Sequence, residues 1–136
     1  LHLQHQQPQH NDVCGDNVLV EQPTERVVLI DFDLARPFAG GRERPAMSFA
    51  GRAAHIAPEL GRGEVSPAND WYGLGVFAFE AACGQLPFIG GGGEVLVRKQ
   101  SLEAPRLSTV LEDVPPDLDE LVAGLLKRSP HTRLRL

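Results

Sequence analysis

The clearest hydrophobic pattern in the first third of the chain is a pair of short apolar runs on either side of a polar turn. Residues 18–20 and 27–30 are uninterrupted aliphatic side chains, and residues 22–25 between them are polar or proline. Short apolar runs bounded by turn residues are typical of β-strands. The pattern therefore predicts a small β-hairpin.

A longer apolar segment follows at about 67–83, with hydrophobic residues on nearly every side of a helix. Ser66 is placed to cap its start and Gly84 to end it. An apolar surface all round predicts a buried helix. A membrane span is the alternative, but Glu80 lies inside the run, and Pro87 stops it short of the roughly 20 residues that a bilayer needs. We therefore expect no membrane span in this segment.

The last third of the chain alternates between glycine- or proline-rich stretches and helical patterns. The glycine run 90–93 predicts a flexible linker, because no strand precedes it and no Lys-Ser/Thr follows it, as a phosphate-binding loop would require. A short helix is expected over 94–101 and a loop over 102–116. Apolar residues at i, i+3, i+4 and i+7 then predict an amphipathic helix at about 117–127. The expected fold class is mostly α with a small β-hairpin (α+β).

Composition and charge narrow the classes of protein. At 136 residues, the chain is long enough for one domain with a sizeable core. Thirteen Lys and Arg against eighteen Asp and Glu give a net charge of −5, so no basic surface for nucleic acid is expected. Cys14 and Cys83 are too few for a disulfide framework and have no metal-ligand spacing, which favours a reducing, cytoplasmic setting.

Polar residues with metal-binding oxygens adjoin both strands of the predicted hairpin. Asp12 and Asn17 precede the first strand and Asp31 follows the second, so folding of the hairpin brings them to one edge. Carboxylate and amide oxygens suit Mg²⁺, which supplies the positive charge that phosphoryl transfer needs. We expect Asp12 to accept the proton of an attacking hydroxyl, and Asn17 and Asp31 to hold Mg²⁺. The alternative is a surface hairpin with solvated acidic turns.

Three short motifs follow one another along the chain: His10-x-Asp12-x-x-x-x-Asn17, Asp31-Phe32-x and Ala57-Pro58-Glu59. They resemble motifs of the protein kinase superfamily, most closely its eukaryotic-like serine/threonine group, and they come in the family's order. The resemblance covers nearly the whole chain, but only the large C-terminal lobe of a kinase.

The resemblance implies an organisation, reactants and supporting residues. The catalytic loop would be 10–17, the metal motif 31–33 and the activation segment 31–59, with ATP, Mg²⁺ and a protein substrate as the reactants. Supporting roles fall to His10 and Phe32 within the motifs, to Asp70, which would hold the backbone of the catalytic loop, and to Arg133, which would form a buried ion pair with Glu59. The alternative for Arg133 is a solvated basic tail.

Three positions depart from the family pattern. Cys14 stands two residues after the expected base, where serine/threonine kinases usually carry Lys. Arg52 replaces the Thr that commonly follows the glycine of the activation segment, and Asp33 replaces the glycine of the metal motif. The catalytic loop therefore lacks the cation that would balance charge on the transferred phosphate.

The motifs of the small kinase lobe are not found in this sequence: no glycine-rich loop, no strand Lys for the phosphates and no helix Glu to pair with it. We therefore expect the chain to be inactive alone, although the parent protein would be an ATP-dependent protein serine/threonine kinase. The alternatives are a pseudokinase or scaffold domain that binds partners without catalysis and a small-molecule phosphotransferase. A glycine-rich loop and a strand Lys upstream would favour the kinase.

Overall fold

A computed structural model describes residues 8–10, 12–30, 36–37 and 53–136. The predicted class, mostly helical with a small antiparallel hairpin, is confirmed. In chain order the elements are β1 (Pro8–Gln9), β2 (Val18–Glu21), β3 (Arg26–Leu29), β4 (Arg36–Pro37), α1 (Pro58–Gly61), α2 (Ala68–Cys83), α3 (Gly92–Ser101) and α4 (Pro116–Leu125).

The predicted hairpin is formed by β2 and β3, with Val18 opposite Leu29 at its open end and Glu21 opposite Arg26 at the turn. Its outer side chains are largely exposed, at 52% for Leu19 and 63% for Val27. The hairpin therefore contributes little to the core. Its effect is to bring the two chain segments at its open end together.

A second, very short antiparallel pair joins β1 to β4, with Gln9 opposite Arg36. Two-residue strands carry no hydrophobic period, so the sequence pattern does not predict this pair. It attaches the start of the catalytic loop to a part of the chain that the sequence assigns to the activation segment.

The core forms where α2 crosses α4. Tyr72, Val76 and Phe79 on one face of α2 are at most 1% exposed and pack with Val122 and other apolar residues. The remaining core members are Ile56, Ala57, Leu60, Leu107 and Leu126. The expectation that α2 is buried all round is wrong, since its Ala81 and Ala82 are exposed. Within the described ranges, no helix combines the length and the apolar character that a membrane crossing requires.

The start of α2 is capped differently from the sequence prediction. No side-chain hydrogen bond caps the helix from Ser66 or Pro67. Instead, Asn69 Oδ1 accepts from the Ser66 N–H at 2.9 Å, and the Asn69 N–H donates to the Ser66 carbonyl at 3.0 Å. At the other end, Gly84 adopts a left-handed φ of 73°, which glycine tolerates without steric cost, and this agrees with the prediction.

Helices α3 and α4 occupy the predicted regions with shifted starts. Gly92 and Gly93 belong to α3 and Gly91 caps it, so half of the predicted glycine linker is helical. Backbone hydrogen bonds of α3 begin at the Gly91 carbonyl, which accepts from the Val95 N–H at 2.9 Å. The packing of Val95 in the core explains why the helix extends into glycines that disfavour it by propensity.

Candidate active site

One side-chain pair closes the described part of the catalytic loop. The Asn17 Nδ2 donates to the Asp12 carbonyl at 2.8 Å and to Asp12 Oδ2 at 2.9 Å. Both residues are buried, with 7% of Asp12 and 6% of Asn17 exposed. A 3-10 turn over Gly15–Asn17 reverses the chain between them. The carboxylate of Asp12 is thereby held in one orientation.

The Asn17 carboxamide keeps its oxygen for another partner. Both of its hydrogen bonds use Nδ2, and within the described ranges Oδ1 accepts none. An amide oxygen suits Mg²⁺ as a ligand. No group of three or more His, Cys, Asp or Glu that could hold a metal occurs among the described residues. Asp31, the other metal ligand that the sequence predicts, is not among them.

His10 ties three parts of the site together. Its backbone N–H donates to Asp70 Oδ2 at 2.6 Å, and its ring Nδ1 accepts from the Asp12 N–H at 3.2 Å. Because Nδ1 is an acceptor, the ring proton lies on Nε2, which donates to the Ile30 carbonyl at 2.9 Å. The neutral imidazole thus holds the catalytic loop against the end of the hairpin.

The open end of the hairpin places residue 30 beside Asn17. The Ile30 N–H donates to the Asn17 carbonyl at 2.8 Å, continuing the ladder of β2 and β3. Asp31 and Phe32 follow in the sequence but lie outside the described residues, as do Asp33 and Arg52. The convergence of Asp31 with Asn17 on one metal therefore stays a prediction.

Helix α2 supports the catalytic loop through its first two turns. Asp70 accepts from the His10 backbone, so it lies where the resemblance places it. A Cβ atom at position 73 would lie 3.0 Å from the Val13 carbonyl oxygen and 3.1 Å from Val13 Cβ. Glycine at 73 therefore allows the helix and the loop to come into direct contact.

A small cavity lies beside Asp12. Its volume of about 20 Å³ is enough for roughly one water molecule. Its lining includes Asp12 of the catalytic loop, Asp70 of α2, and His55, Ile56 and Ala57 from the segment before α1. The segment that precedes α1 thus lines the same cavity as Asp12.

A buried ion pair anchors α1, the helix that follows this segment. Arg133 Nη1 and Nη2 donate to Glu59 Oε1 at 2.5 Å and Oε2 at 2.9 Å, and the two side chains are 0% and 1% exposed. Asn69 Nδ2 also donates to Glu59 Oε1, at 2.8 Å. The structure therefore pairs the two residues that the sequence pairs, and Arg133 does not lie in a solvated tail.

Comparison with known proteins distinguishes the protein kinases from the small-molecule phosphotransferases. A family model described as the protein kinase domain matches residues 1–136. The chain belongs to the protein kinase family. It is 35% identical over 126 residues to the serine/threonine-protein kinase PknL of Mycobacterium tuberculosis (strain CDC 1551 / Oshkosh), covering 91% of this chain and 31% of PknL.

Two further kinases are similar over the same region. The serine/threonine-protein kinase PknA of Mycobacterium tuberculosis (strain CDC 1551 / Oshkosh) is 35% identical over 93% of this chain and 29% of PknA. The RAC-beta serine/threonine-protein kinase B of Xenopus laevis is 33% identical over 92% of this chain and 25% of that protein. The chain thus spans less than a third of the length of these relatives.

Of Cys14, Arg52 and Asp33, Cys14 is the one that falls within the described residues. It is 6% exposed and its thiol is free. A small buried thiol cannot supply the positive charge that a Lys would bring to the reaction centre.

Sequence reasoning missed three buried polar residues near the site. Asn69, in the first turn of α2, accepts from the Ser66 N–H and donates to Glu59. Gln9, just before the loop, is 2% exposed, and its Nε2 has no hydrogen-bond partner in the described part of the chain. Lys99 is fully buried on α3, four residues after the core residue Val95. That spacing puts Lys99 on the apolar face of α3, a signal that the sequence did contain.

Proposed function

We propose that the natural protein containing this chain transfers the γ-phosphoryl group of ATP to Ser or Thr hydroxyls of a protein substrate. The observation that carries the proposal is the buried Asp12–Asn17 pair, which presents one carboxylate oxygen and one amide oxygen in fixed orientations. The serine/threonine-protein kinase names of the relatives support it.

The proposed reaction assigns one proton transfer to Asp12. The substrate hydroxyl donates its proton to the Asp12 carboxylate while its oxygen forms a bond to the γ-phosphorus, and the bond from that phosphorus to the ADP oxygen breaks. Asn17 Nδ2 donates to Oδ2 of Asp12 and so fixes the orientation of the carboxylate that accepts the proton. His10 fixes the backbone of Asp12, which limits reorganisation during the transfer.

We further propose Mg²⁺ as the metal, with Asn17 Oδ1 and Asp31 as its protein ligands. When bound, Mg²⁺ neutralises charge on the phosphates. The chemistry of Asn17 fits, because its amide nitrogen is engaged by Asp12 and its oxygen has no hydrogen bond in the described part of the chain.

An Asp12→Asn variant tests the proton acceptor. We expect it to lower kcat for transfer of ³²P from ATP to myelin basic protein by about 10²–10⁴-fold, because an amide cannot accept the proton. The matched control is Asp16→Asn, which removes the same charge from an exposed position of the same loop and should leave kcat within about two-fold. Full activity in the natural protein carrying Asp12→Asn would contradict the assignment.

Substitution of Asn17 tests the metal site. We expect Asn17→Ala to raise the Mg²⁺ concentration needed for half-maximal ATP binding by about 10-fold or more, because a ligand is lost. Asn17→Asp keeps a ligand oxygen and should preserve Mg²⁺-dependent binding. It should nevertheless lower kcat, because a second carboxylate replaces the donor to Asp12. Isothermal titration calorimetry measures Mg²⁺-dependent ATP binding by the natural protein and by its two variants, and the ³²P-transfer assay measures kcat. Equal Mg²⁺ requirements for ATP binding in these three proteins would refute the site.

Buried Cys14 favours one alternative, a pseudokinase that binds partners without catalysis. The catalytic loop offers no cation, and this weakens stabilisation of the transferred phosphoryl group. The ³²P-transfer assay separates the two functions, because a pseudokinase would give no transfer that depends on Asp12. A reducing, cytoplasmic setting stays a prediction from the two cysteines, both of which are free.

A further inference from the structure

The small cavity beside Asp12 brings two carboxylates and one imidazole together. Asp12 and Asp70 carry the carboxylates, and Asn69 contributes a neutral amide. Among the described residues that line the cavity, His55 is the only one whose side chain can take a positive charge. The others are apolar residues or glycine. A positive charge contributed by this lining therefore belongs to His55.

The size of the cavity makes His55 a near neighbour of the proposed proton acceptor. A volume of about 20 Å³ holds roughly one water molecule, so the residues around the cavity are close to one another. The ring atom Nδ1 of His55 is buried. In the proposed reaction, the γ-phosphorus is bonded to the same oxygen that gives its proton to Asp12. The imidazole thus lies near the place where the phosphoryl group is transferred.

The charged groups around the segment that carries His55 have opposing effects on its protonation. The carboxylates of Asp12 and Asp70 share the cavity with the imidazole, and anions favour its protonated form. Lys99 on α3 has the opposite effect, since its Nζ donates at 2.8 or 2.9 Å to three backbone carbonyls within residues 53–56. Glu59 on α1 is engaged in its buried ion pair. Histidine is the side chain that ordinarily changes charge between pH 5 and 8.

The catalytic loop has no strong cation of its own. Residues 10–17 contain neither Lys nor Arg, and position 14, two residues after Asp12, is a buried Cys. Phosphoryl transfer spreads negative charge over the oxygens of the transferred group, and a positive charge fixed nearby stabilises the transition state. An imidazolium beside Asp12 has the sign and the location that this requires.

We propose that the protonated imidazole of His55 supplies positive charge to the reaction centre at Asp12 during phosphoryl transfer. The inference rests on the proposed kinase function and adds the source of a charge that residues 10–17 do not contain. The imidazolium acts through space and forms no bond in the reaction. Its effect is on the transition state, so its loss lowers kcat and leaves the binding of ATP and of the protein substrate unchanged.

The test is a His55→Gln variant of the natural protein, assayed for ³²P transfer from ATP to myelin basic protein between pH 5.5 and 8.5. Glutamine keeps a polar side chain of similar size and takes up no proton. At pH 6 we expect kcat to fall about 10-fold or more, with both KM values within two-fold of the unsubstituted protein. The matched control, His131→Gln, removes an exposed imidazole and should change neither kcat nor KM.

The pH profile of kcat separates a charge from a structural effect. In the unsubstituted protein, kcat should decrease as the pH rises and the imidazole loses its proton. In His55→Gln this decrease should be absent, because position 55 is neutral at every pH. A decrease that persists in His55→Gln would come from another group, such as Lys99 or His10, and would overturn the inference.

A second substitution supplies the charge from another position. Cys14→Lys puts a cation two residues after Asp12, and when added to His55→Gln it should recover kcat to within about three-fold of the unsubstituted protein. A side chain with only a structural role is not replaced by a charge elsewhere. If His55→Gln does not fold, Cys14→Lys alone decides, because it should remove the decrease of kcat at higher pH. A decrease of the same size in Cys14→Lys would overturn the inference.

Each remaining outcome also decides the inference. Unchanged kcat in His55→Gln overturns it, although the kinase function stands. A higher KM for myelin basic protein at unchanged kcat overturns it as well, since His55 would then act in substrate binding. A loss of kcat that Cys14→Lys does not recover makes His55 structural. If the unsubstituted protein transfers no phosphate, the proposed function fails and the inference fails with it.

Discussion

At the scale of single residues, the Arg133–Glu59 ion pair is the most completely buried ion pair among the residues that the structure describes. Arg133 also donates to the Ala68 carbonyl at 2.8 Å and to the Lys127 carbonyl at 2.9 Å, so its charge is fully hydrogen-bonded. Its guanidinium carbon lies 4.9 Å from the Tyr72 ring centroid. One side chain thus joins α1, the start of α2 and the segment that follows α4.

We expect Arg133→Met to lower the free energy of unfolding by about 3–5 kcal/mol, because Glu59 is left buried without its partner. Urea unfolding of the chain measures the loss. The double variant, Arg133→Met with Glu59→Gln, should lose less free energy of unfolding than Arg133→Met alone, since it leaves no unpaired charge. Arg106→Met is the matched control, because Arg106 is exposed and its ion pairs are screened by solvent. A larger loss for Arg106→Met than for Arg133→Met would contradict this account.

The site residues show how far sequence reasoning reaches at this scale. The resemblance to the kinase motifs indicated Asp12, Asn17, Glu59, Asp70 and Arg133, because each stands at a position to which the family's pattern gives a role. It did not indicate Lys99, whose three acceptors lie more than 40 positions earlier in the sequence. Backbone carbonyls have no sequence signature, so only folding shows which side chain reaches them.

At the scale of elements, the crossing of α2 and α4 depends on Gly75. A Cβ atom at this position would lie 2.9 Å from Leu125 Cβ and 2.9 Å from Leu126 Cδ2. The Leu125 Cβ is fixed by its backbone, so it cannot move aside without the helix. Glycine thus sets the distance between the two helices that form the core.

We expect Gly75→Ala to lower the free energy of unfolding by about 1–3 kcal/mol, because the added methyl group forces α2 and α4 apart. The control is Gly93→Ala on α3, where an added Cβ meets nothing within 4 Å. It should raise stability by up to about 1 kcal/mol through helix propensity. Thermal unfolding of both variants distinguishes the effect of packing from the effect of helix propensity. Equal changes of the melting temperature in the same direction would show that the close contact between α2 and α4 at Gly75 does not limit stability.

Element prediction succeeded where a hydrophobic period was long or a turn was distinct. The hairpin, α2 and α4 were predicted from such patterns and are present. The β1–β4 pair and the extension of α3 into Gly92 were not predicted. Both depend on contacts with distant residues, and these override the local preferences on which a sequence pattern is based.

At the scale of the whole molecule, buried Lys99 links stability to pH. Burial lowers the pKa of Lys99 to about 7 from the ordinary value of 10.5. Between these values the unfolded chain binds a proton that the folded chain does not, so the free energy of unfolding rises with pH. Burial also raises the pKa of nearby Tyr72, which costs stability only above the ordinary value of 10. Below pH 9.5 the contribution of Lys99 to the pH dependence of stability is therefore separate from that of Tyr72.

We expect the stability of the unsubstituted chain relative to Lys99→Met to increase between pH 7 and 9.5, by at most about 1.4 kcal/mol per pH unit. The carbonyl acceptors favour the ammonium form and reduce the slope. Urea unfolding at several pH values measures it. The comparison of the two proteins cancels the titrations that they share. Parallel pH profiles would show that the three carbonyls keep Lys99 charged.

The sequence by itself determined the family, the fold class and the residues that carry the proposed chemistry, because motif spacing and hydrophobic period are local properties of the chain. Only the tertiary structure decided which groups meet across long separations: His10 with Ile30, Asp70 with the catalytic loop, and Lys99 with residues 53–56. These contacts form because the packing of α2, α3 and α4 brings distant backbone together, and no short stretch of sequence records that packing.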